Sequence, residues 1–203
     1  MKRILLLFAH PRFEKSRISR ALLAPLKGKS FITIRDLYEL YPDFNIDIEA
    51  EKSLLMEHDI VIWHHPLYMY SAPPIIKQWI DMVLEFGWAH GPDGTRLRGK
   101  VSFNVVTSGA SRQTFRKAGS GGFTLRELLI PFEQTSLLCN MTYLPPFTVQ
   151  GTYRITAEEL ASAAADYSTL LEGLSAGAFS PEELSGCDYL NDLIASQRGE
   201  ERT

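Results

Sequence analysis

Apolar residues along the chain fall into two patterns that alternate from the N-terminus onward. Arg3–Ala9 holds a continuous apolar run, which predicts a strand buried on both faces, and Val101–Val106 reads as another strand. Phe31–Leu37, Ile60–Trp63 and Met141–Leu144 read as further strands, the last broken by Pro145-Pro146. Between them the spacing changes to that of helices. Ser16 caps a predicted helix to about Leu26 with Ile18, Ala21, Leu22 and Leu26 facing inward. A second helix spans Ile48–Glu57. A third, Pro74–Leu84, presents Ile75, Ile76, Trp79, Ile80, Val83 and Leu84 on one face. A helix near Leu125–Cys139 carries a predicted kink at Pro131, and Thr156 with Glu159 forms a capping box for a last long helix to Leu174.

Strands alternating with helices imply a doubly wound α/β fold, a five-stranded parallel sheet with helices on both faces. Five such units fit the strand order 2-1-3-4-5, with a ligand crevice beside the carboxyl ends of the first and third strands. Residues 1–174 form one predicted domain. Residues 175–203 are acidic and polar, with a short helical pattern from Ser180 to Ile194, and read as a weakly packed tail or a subunit contact.

Composition narrows the function classes. An apolar content of 45% suffices for a full core, and no apolar run approaches the roughly 20 residues of a membrane span. A net charge of −3 argues against nucleic acid as the main partner. Residues 1–35 nevertheless hold nine Lys/Arg against Glu14 alone, a local field that favours a phosphorylated ligand. Cys139 and Cys187 are far apart and lack metal-ligand spacing, which points to a reduced, cytoplasmic protein.

Two strand-loop-helix segments carry the candidate chemistry. After the first strand comes a polar, basic loop, His10 to Ser19. After the third comes a loop bounded by Pro66 and Pro73-Pro74 that displays Tyr68, Met69 and Tyr70. One suits a phosphate at a helix N-terminus and the other a flat ring. Flavin mononucleotide has both parts. Gly28-Lys29-Ser30 is no P-loop, because position 23 is leucine and the tripeptide follows a helix. His64 and His65 are adjacent on a strand and point to opposite faces, so no metal site is expected there. Gly119, Gly121 and Gly122 read as freedom for a mobile loop.

The motifs FAHP at 8–11, SRIS at 16–19, YPDFNIDI at 41–48, HPLYMYSAPPIIKQWID at 65–81 and GWAHGPDG at 87–94 resemble the flavodoxin-like NAD(P)H:quinone oxidoreductase family. Within it, the likeness is greatest to ancillary subunits of glutathione-regulated potassium efflux systems. The resemblance covers residues 3 to about 174. It implies FMN rather than FAD as cofactor, NAD(P)H as co-substrate, and a quinone as acceptor in a two-electron ping-pong cycle. A single sheet would leave the exposed face of such a flavin open to water, which predicts a two-fold homodimer with the apolar surplus at Phe44, Trp88 and the 87–92 loop as candidate contact surface. The resemblance also implies a cytoplasmic protein that can dock at the inner membrane face on a potassium efflux transporter. By position, His10, Ser16, Arg17, Ile18 and Ser19 would hold the phosphate and ribityl end. Pro66, Leu67, Tyr68 and Met69 would line the ring, and Thr107, Ser108, Gly109 and Ala110 would reach its pyrimidine edge. The chain departs from the larger quinone reductases in three places. Their loop tyrosine and histidine are here Phe115 and Gly121, and their ring-stacking tryptophan is Met69. Arg112, Gln113 and Arg116 are the candidate substitutes in that loop.

Overall fold

A computed structural model describes residues 1–199. Its centre is a parallel sheet in which β1 (Ile4–Phe8) lies between β2 (Ile32–Asp36) and β3 (Ile60–Pro66), and β3 pairs β4 (Val101–Thr107). Two short segments complete the far edge. β5 (Thr142–Tyr143) pairs the start of β4 and β6 (Phe147–Val149) pairs its end, so the order is 2-1-3-4-5 with β6 beside β4. Pro145 and Pro146 cause the interruption, since neither can donate to a ladder.

Alternation along the strands feeds two separate cores. Ile4, Leu6 and Phe8 face α1 (Arg17–Leu23) and α7 (Ala157–Ala176), which bring Leu22, Tyr167, Leu170 and Leu171. Leu5 and Leu7 face the other side. There they meet α3 (Ile48–Glu57), α4 (Pro74–Val83) and α6 (Ile130–Leu138), which contribute Leu55, Trp79 and Phe132. One short helix, α2 (Leu37–Leu40), follows β2 directly, and another, α5 (Leu125–Leu128), precedes α6. The expected kink at Pro131 is a full break at Leu129, with Pro131 in the first turn of α6, where its missing N–H costs nothing. Ser16 caps α1 by accepting from Ser19 N, and Thr156 and Glu159 form the reciprocal box that starts α7.

The end of the chain differs from the weakly packed tail expected after residue 174. α8 (Pro181–Ser185) and α9 (Leu190–Gln197) fold back onto the α1/α7 side of the sheet, where Leu190, Leu193 and Ile194 are buried. Those three positions have helical i, i+3, i+4 spacing, and each fully buried aliphatic side chain contributes about 1.5–3 kcal/mol. Asn191 joins the sheet edge: its Oδ1 accepts from Thr148 N at 2.8 Å and its Nδ2 donates to Thr148 O at 2.9 Å. Among the described residues no helix is long and apolar enough to cross a membrane.

Candidate functional site

The carboxyl ends of β1, β3 and β4 open into a cleft of about 380 Å³. One wall is basic and polar. It is the loop after β1 with the start of α1, and it presents His10, Arg12, Lys15, Ser16, Arg17 and Ile18. A helix N-terminus leaves its first N–H groups without intrahelical acceptors, here those of Arg17 and Ile18, so this wall suits an anion. The Arg17 guanidinium also donates to Ile155 O at 2.8 Å and ties α1 to the loop before α7. Ser19 is fully buried and holds Ser16 from below, with the two hydroxyls 3.0 Å apart.

The opposite wall comes from Pro66, Leu67 and Tyr68 after β3 and from Thr107 and Gly109 after β4. The two loops are joined by Leu67 N donating to Thr107 O at 2.8 Å. Tyr68 and Ser71 exchange two backbone bonds at 2.9 and 3.0 Å, closing a two-residue turn with Met69 at φ 46° and Tyr70 at φ 66°. Both central residues are left-handed, as in a type I′ turn, although neither is glycine. Such backbone costs about 1–3 kcal/mol per residue and is found where a loop has a task. The turn aims Tyr68 into the cleft and leaves Met69 at its tip, 90% exposed.

His10 links the walls. Its Nδ1 accepts from Arg12 N at 3.1 Å, so the neutral ring carries its proton on Nε2, which lies 3.4 Å from the Tyr68 hydroxyl. Burial lowers its pKa below the usual 6.5, partly opposed by Glu14. Behind the ring wall, Tyr143 donates to Asn104 at 2.6 Å, Asn104 Nδ2 is 2.9 Å from His65 Nε2, and His65 Nδ1 is 3.0 Å from Pro66 O. With Asn104 as donor, His65 is protonated on Nδ1 and fixes the Pro66 carbonyl. His64 points to the opposite core, edge-on to Phe8 and Tyr167.

Nine of the thirteen residues singled out from the sequence line this cleft: His10, Ser16, Arg17, Ile18, Pro66, Leu67, Tyr68, Thr107 and Gly109. Four do not. Met69 stands outside at the turn tip, Ser19 lies beneath Ser16, Ser108 accepts from Ala110 N at 3.1 Å, and Ala110 packs against the core. Arg12, Lys15, Thr152 and Tyr153 line the cleft without having been singled out. Arg12 and Lys15 entered the sequence reading only through the basic character of the loop and the local charge excess. Thr152 and Tyr153 arrive after β6, carried there by Gly151 N and Thr152 N donating to Ala110 O and Ser108 O. A side chain at Gly109 would come within 2.2 Å of the Tyr153 ring, so glycine permits that approach.

The loop after β4 departs from its expected role. Phe115 is buried in the core and lines a different cavity, and Gly121 N donates to Thr114 O at 3.3 Å. Phe115 does not line the cleft, so a tyrosine there would not place a proton donor in it. Arg112 is turned to Asp192, with two bonds of 2.9 and 2.8 Å.

A doubly wound sheet with one cationic and one ring-lining loop at its switch point defines a flavodoxin-like class of protein. The matching family model, described as flavodoxin-like fold, covers residues 2–171, and the chain belongs to the flavodoxin-like NAD(P)H:quinone reductase family. It is 42% identical to the glutathione-regulated potassium-efflux system ancillary protein KefG of Shigella flexneri, over 81% of this chain and 90% of that one. General stress protein 14 of Treponema denticola, solved in complex with FMN, superposes with a TM-score of 0.79 at 35% identity, covering 85% of this chain and 99% of that one. The NADPH-quinone reductase of P. pentosaceus gives a TM-score of 0.75 at 30% identity, over 82% and 96%.

Proposed function

We propose that the chain is an FMN-dependent NAD(P)H:quinone oxidoreductase. The observation that carries the reading is the two-walled cleft, cationic against the N-terminus of α1 and ring-lining after β3. The FMN complex of the Treponema protein and the activity named for the P. pentosaceus reductase support it. Arg12, Lys15, Ser16 and Arg17 would hold the phosphate. Pro66, Leu67 and Tyr68 would pack on the ring, and the Thr107–Gly109 backbone would meet its polar edge. When bound, FMN supplies the two-electron chemistry that connects NAD(P)H to a quinone. The chain's own part is to orient the ring, exclude water from one face, and hold protons at His10 Nε2 and Tyr68 Oη.

Heat-released ligand from the purified protein should chromatograph as FMN. Failure of both FMN and FAD to bind the folded chain would end this reading. Tyr68 is about half exposed, so Tyr68→Ala should weaken FMN by roughly 1 kcal/mol, near fivefold in Kd, measured by fluorescence titration.

A homodimer belongs to the same proposal. Phe44 and Trp88, the expected contacts, are only partly exposed and pack on the core within one chain, Trp88 beneath the Lys52 ammonium. Exposed apolar side chains instead gather on α4, α6 and the loop after α4: Met82, Phe86, Ile130, Leu137 and Leu138. Sedimentation equilibrium should give twice the 22.9 kDa chain mass, and Leu137→Asp with Leu138→Asp should halve it. A monomeric wild type with full reductase activity contradicts the dimer.

The likeness to KefG over nine-tenths of its length favours one further role, docking on the cytoplasmic face of a potassium efflux transporter. Co-purification of the chain with such a transporter in detergent tests it, and loss of the complex at near-physiological salt would count against it.

A further inference from the structure

A second cavity, of about 530 Å³, lies between the loop after β4 and the end of the chain. Four cations line it, Arg112, Arg116, Lys117 and Arg126, against one carboxylate, Asp188. Arg112 is already neutralised and fixed. Asp192 grips it bidentately, and its guanidinium lies 4.5 Å from the centre of the Tyr189 ring. Lys117 reaches Glu127 only at 4.0 Å. Among the described residues, Arg116 and Arg126 form no ion pair. The cavity therefore holds a net positive field focused by low-dielectric walls, since Phe115 and Tyr189 are both nearly buried.

Guanidinium groups that line one cavity, here those of Arg116 and Arg126 beside Arg112, match the oxygens of a phosphomonoester dianion, which such groups bind in forks. Arg112, stacked by Tyr189 on one face, offers its other face to a planar ring. From these observations we propose that this cavity is a second binding site, for a phosphomonoester carried on a nucleotide. Tyr189, Asp188 and Asp192 lie beyond residues 2–171, so this wall is an addition to the family's common part. Thr107 and Gly109 line the first cleft and Arg112 begins the second wall three residues later, so one loop serves both. Two sources of the same chemistry fit: the 2′-phosphate of NADPH reaching over from the first cleft, or a separate phosphorylated nucleotide.

The test is calorimetric titration of the full chain with adenosine 2′,5′-bisphosphate, beside 5′-AMP as control. Saturable binding is expected, and Arg116→Gln with Arg126→Gln should weaken it at least tenfold with an unchanged melting temperature. No saturable binding by the wild type, or an equal Kd in the double variant, overturns the proposal. The titration needs no flavin, so its failure leaves the cofactor reading standing. Steady-state kinetics then assign the source, and this arm rests on the oxidoreductase reading. A several-fold rise in KM for NADPH but not NADH in the double variant identifies the co-substrate's phosphate. Unchanged KM values, with bisphosphate binding beside NADPH, identify a separate nucleotide.

Discussion

Glu51→Leu should destabilise the protein by about 3 kcal/mol, read as a lower urea midpoint with an unchanged slope. Glu51 sits on the inner face of α3 and is fully buried. Its carboxylate collects donors from three elements. Arg35 of β2 donates at 2.6 and 3.1 Å, the Tyr41 hydroxyl at 2.7 Å, and the Trp79 indole of α4 at 2.9 Å. Burial, followed by the carboxylate beside it, pushes the Tyr41 hydroxyl pKa up to about 12. Removing the acceptor strands the Trp79 and Tyr41 donors, which are nearly inaccessible to water. Arg35 keeps about a fifth of its side-chain exposure and can rehydrate, which places the loss at the low end of that for broken buried pairs. Glu51→Gln should fall between, because one of its amide groups must face a donor. A loss below about 1 kcal/mol for Glu51→Leu would mean that the network is not structural.

Acidification should be nearly as costly. Burial lowers His64 to about pKa 3, with His65 and His10 adding repulsion, and burial lowers His65 to about 4. Both are neutral in the native protein, while an unfolded chain protonates each near pH 6.5. The unfolded state thus binds more protons below pH 6.5. Stability is fully present above that pH and is lost as pH falls toward the native values. From pH 6.5 to 5 each histidine removes roughly 2 kcal/mol, at 1.36 kcal/mol per pH unit, or about 4 kcal/mol for the pair. His10 and His58, also lowered chiefly by burial, act in the same direction. Urea midpoints at pH 7.5 and 5.0 measure the difference. His64 has no hydrogen-bond partner on either nitrogen among the described residues, so His64→Phe should halve the loss without breaking a bond. An equal loss in that variant would locate the protons elsewhere. His65→Phe, by contrast, leaves Asn104 without its ring partner.

The strands and their order were legible because β1 is apolar on both faces, Phe103, Val105 and Val106 make most of β4 apolar, and helical spacing separates the strands. β3 was read as ending at Trp63. It continues through His64, His65 and Pro66, since a histidine looks polar in sequence and becomes a core residue once neutral. The same misreading affected the chain end. Four carboxylates, Glu182, Glu183, Asp188 and Asp192, made this segment look solvated, yet three apolar side chains at helical spacing outweigh them once the sheet offers a surface. The cleft was legible where motif and wall coincide, from His10 to Ile18 and from Pro66 to Tyr68. It was illegible where residues come from far along the chain. Nothing local to Thr152 or Tyr153 announces a ligand; their place follows from hydrogen bonds to Ser108 and Ala110. Nor does spacing reveal that Phe115 turns inward, because the glycine-rich stretch after it has no periodicity.

The side-chain amide of Asn191 imitates one residue of an additional strand. β6 is the last, short rung beside β4, and its outward-facing Thr148 backbone would otherwise be a template for another molecule's chain. Asn191 occupies that donor and acceptor together, while Leu190 N takes the neighbouring carbonyl of Pro146 at 3.0 Å. The segment after residue 174 thus acts as a guard against fibril-like stacking. Without that segment, both the Thr148 backbone and the apolar surface that Leu190, Leu193 and Ile194 cover would be open to another molecule's chain.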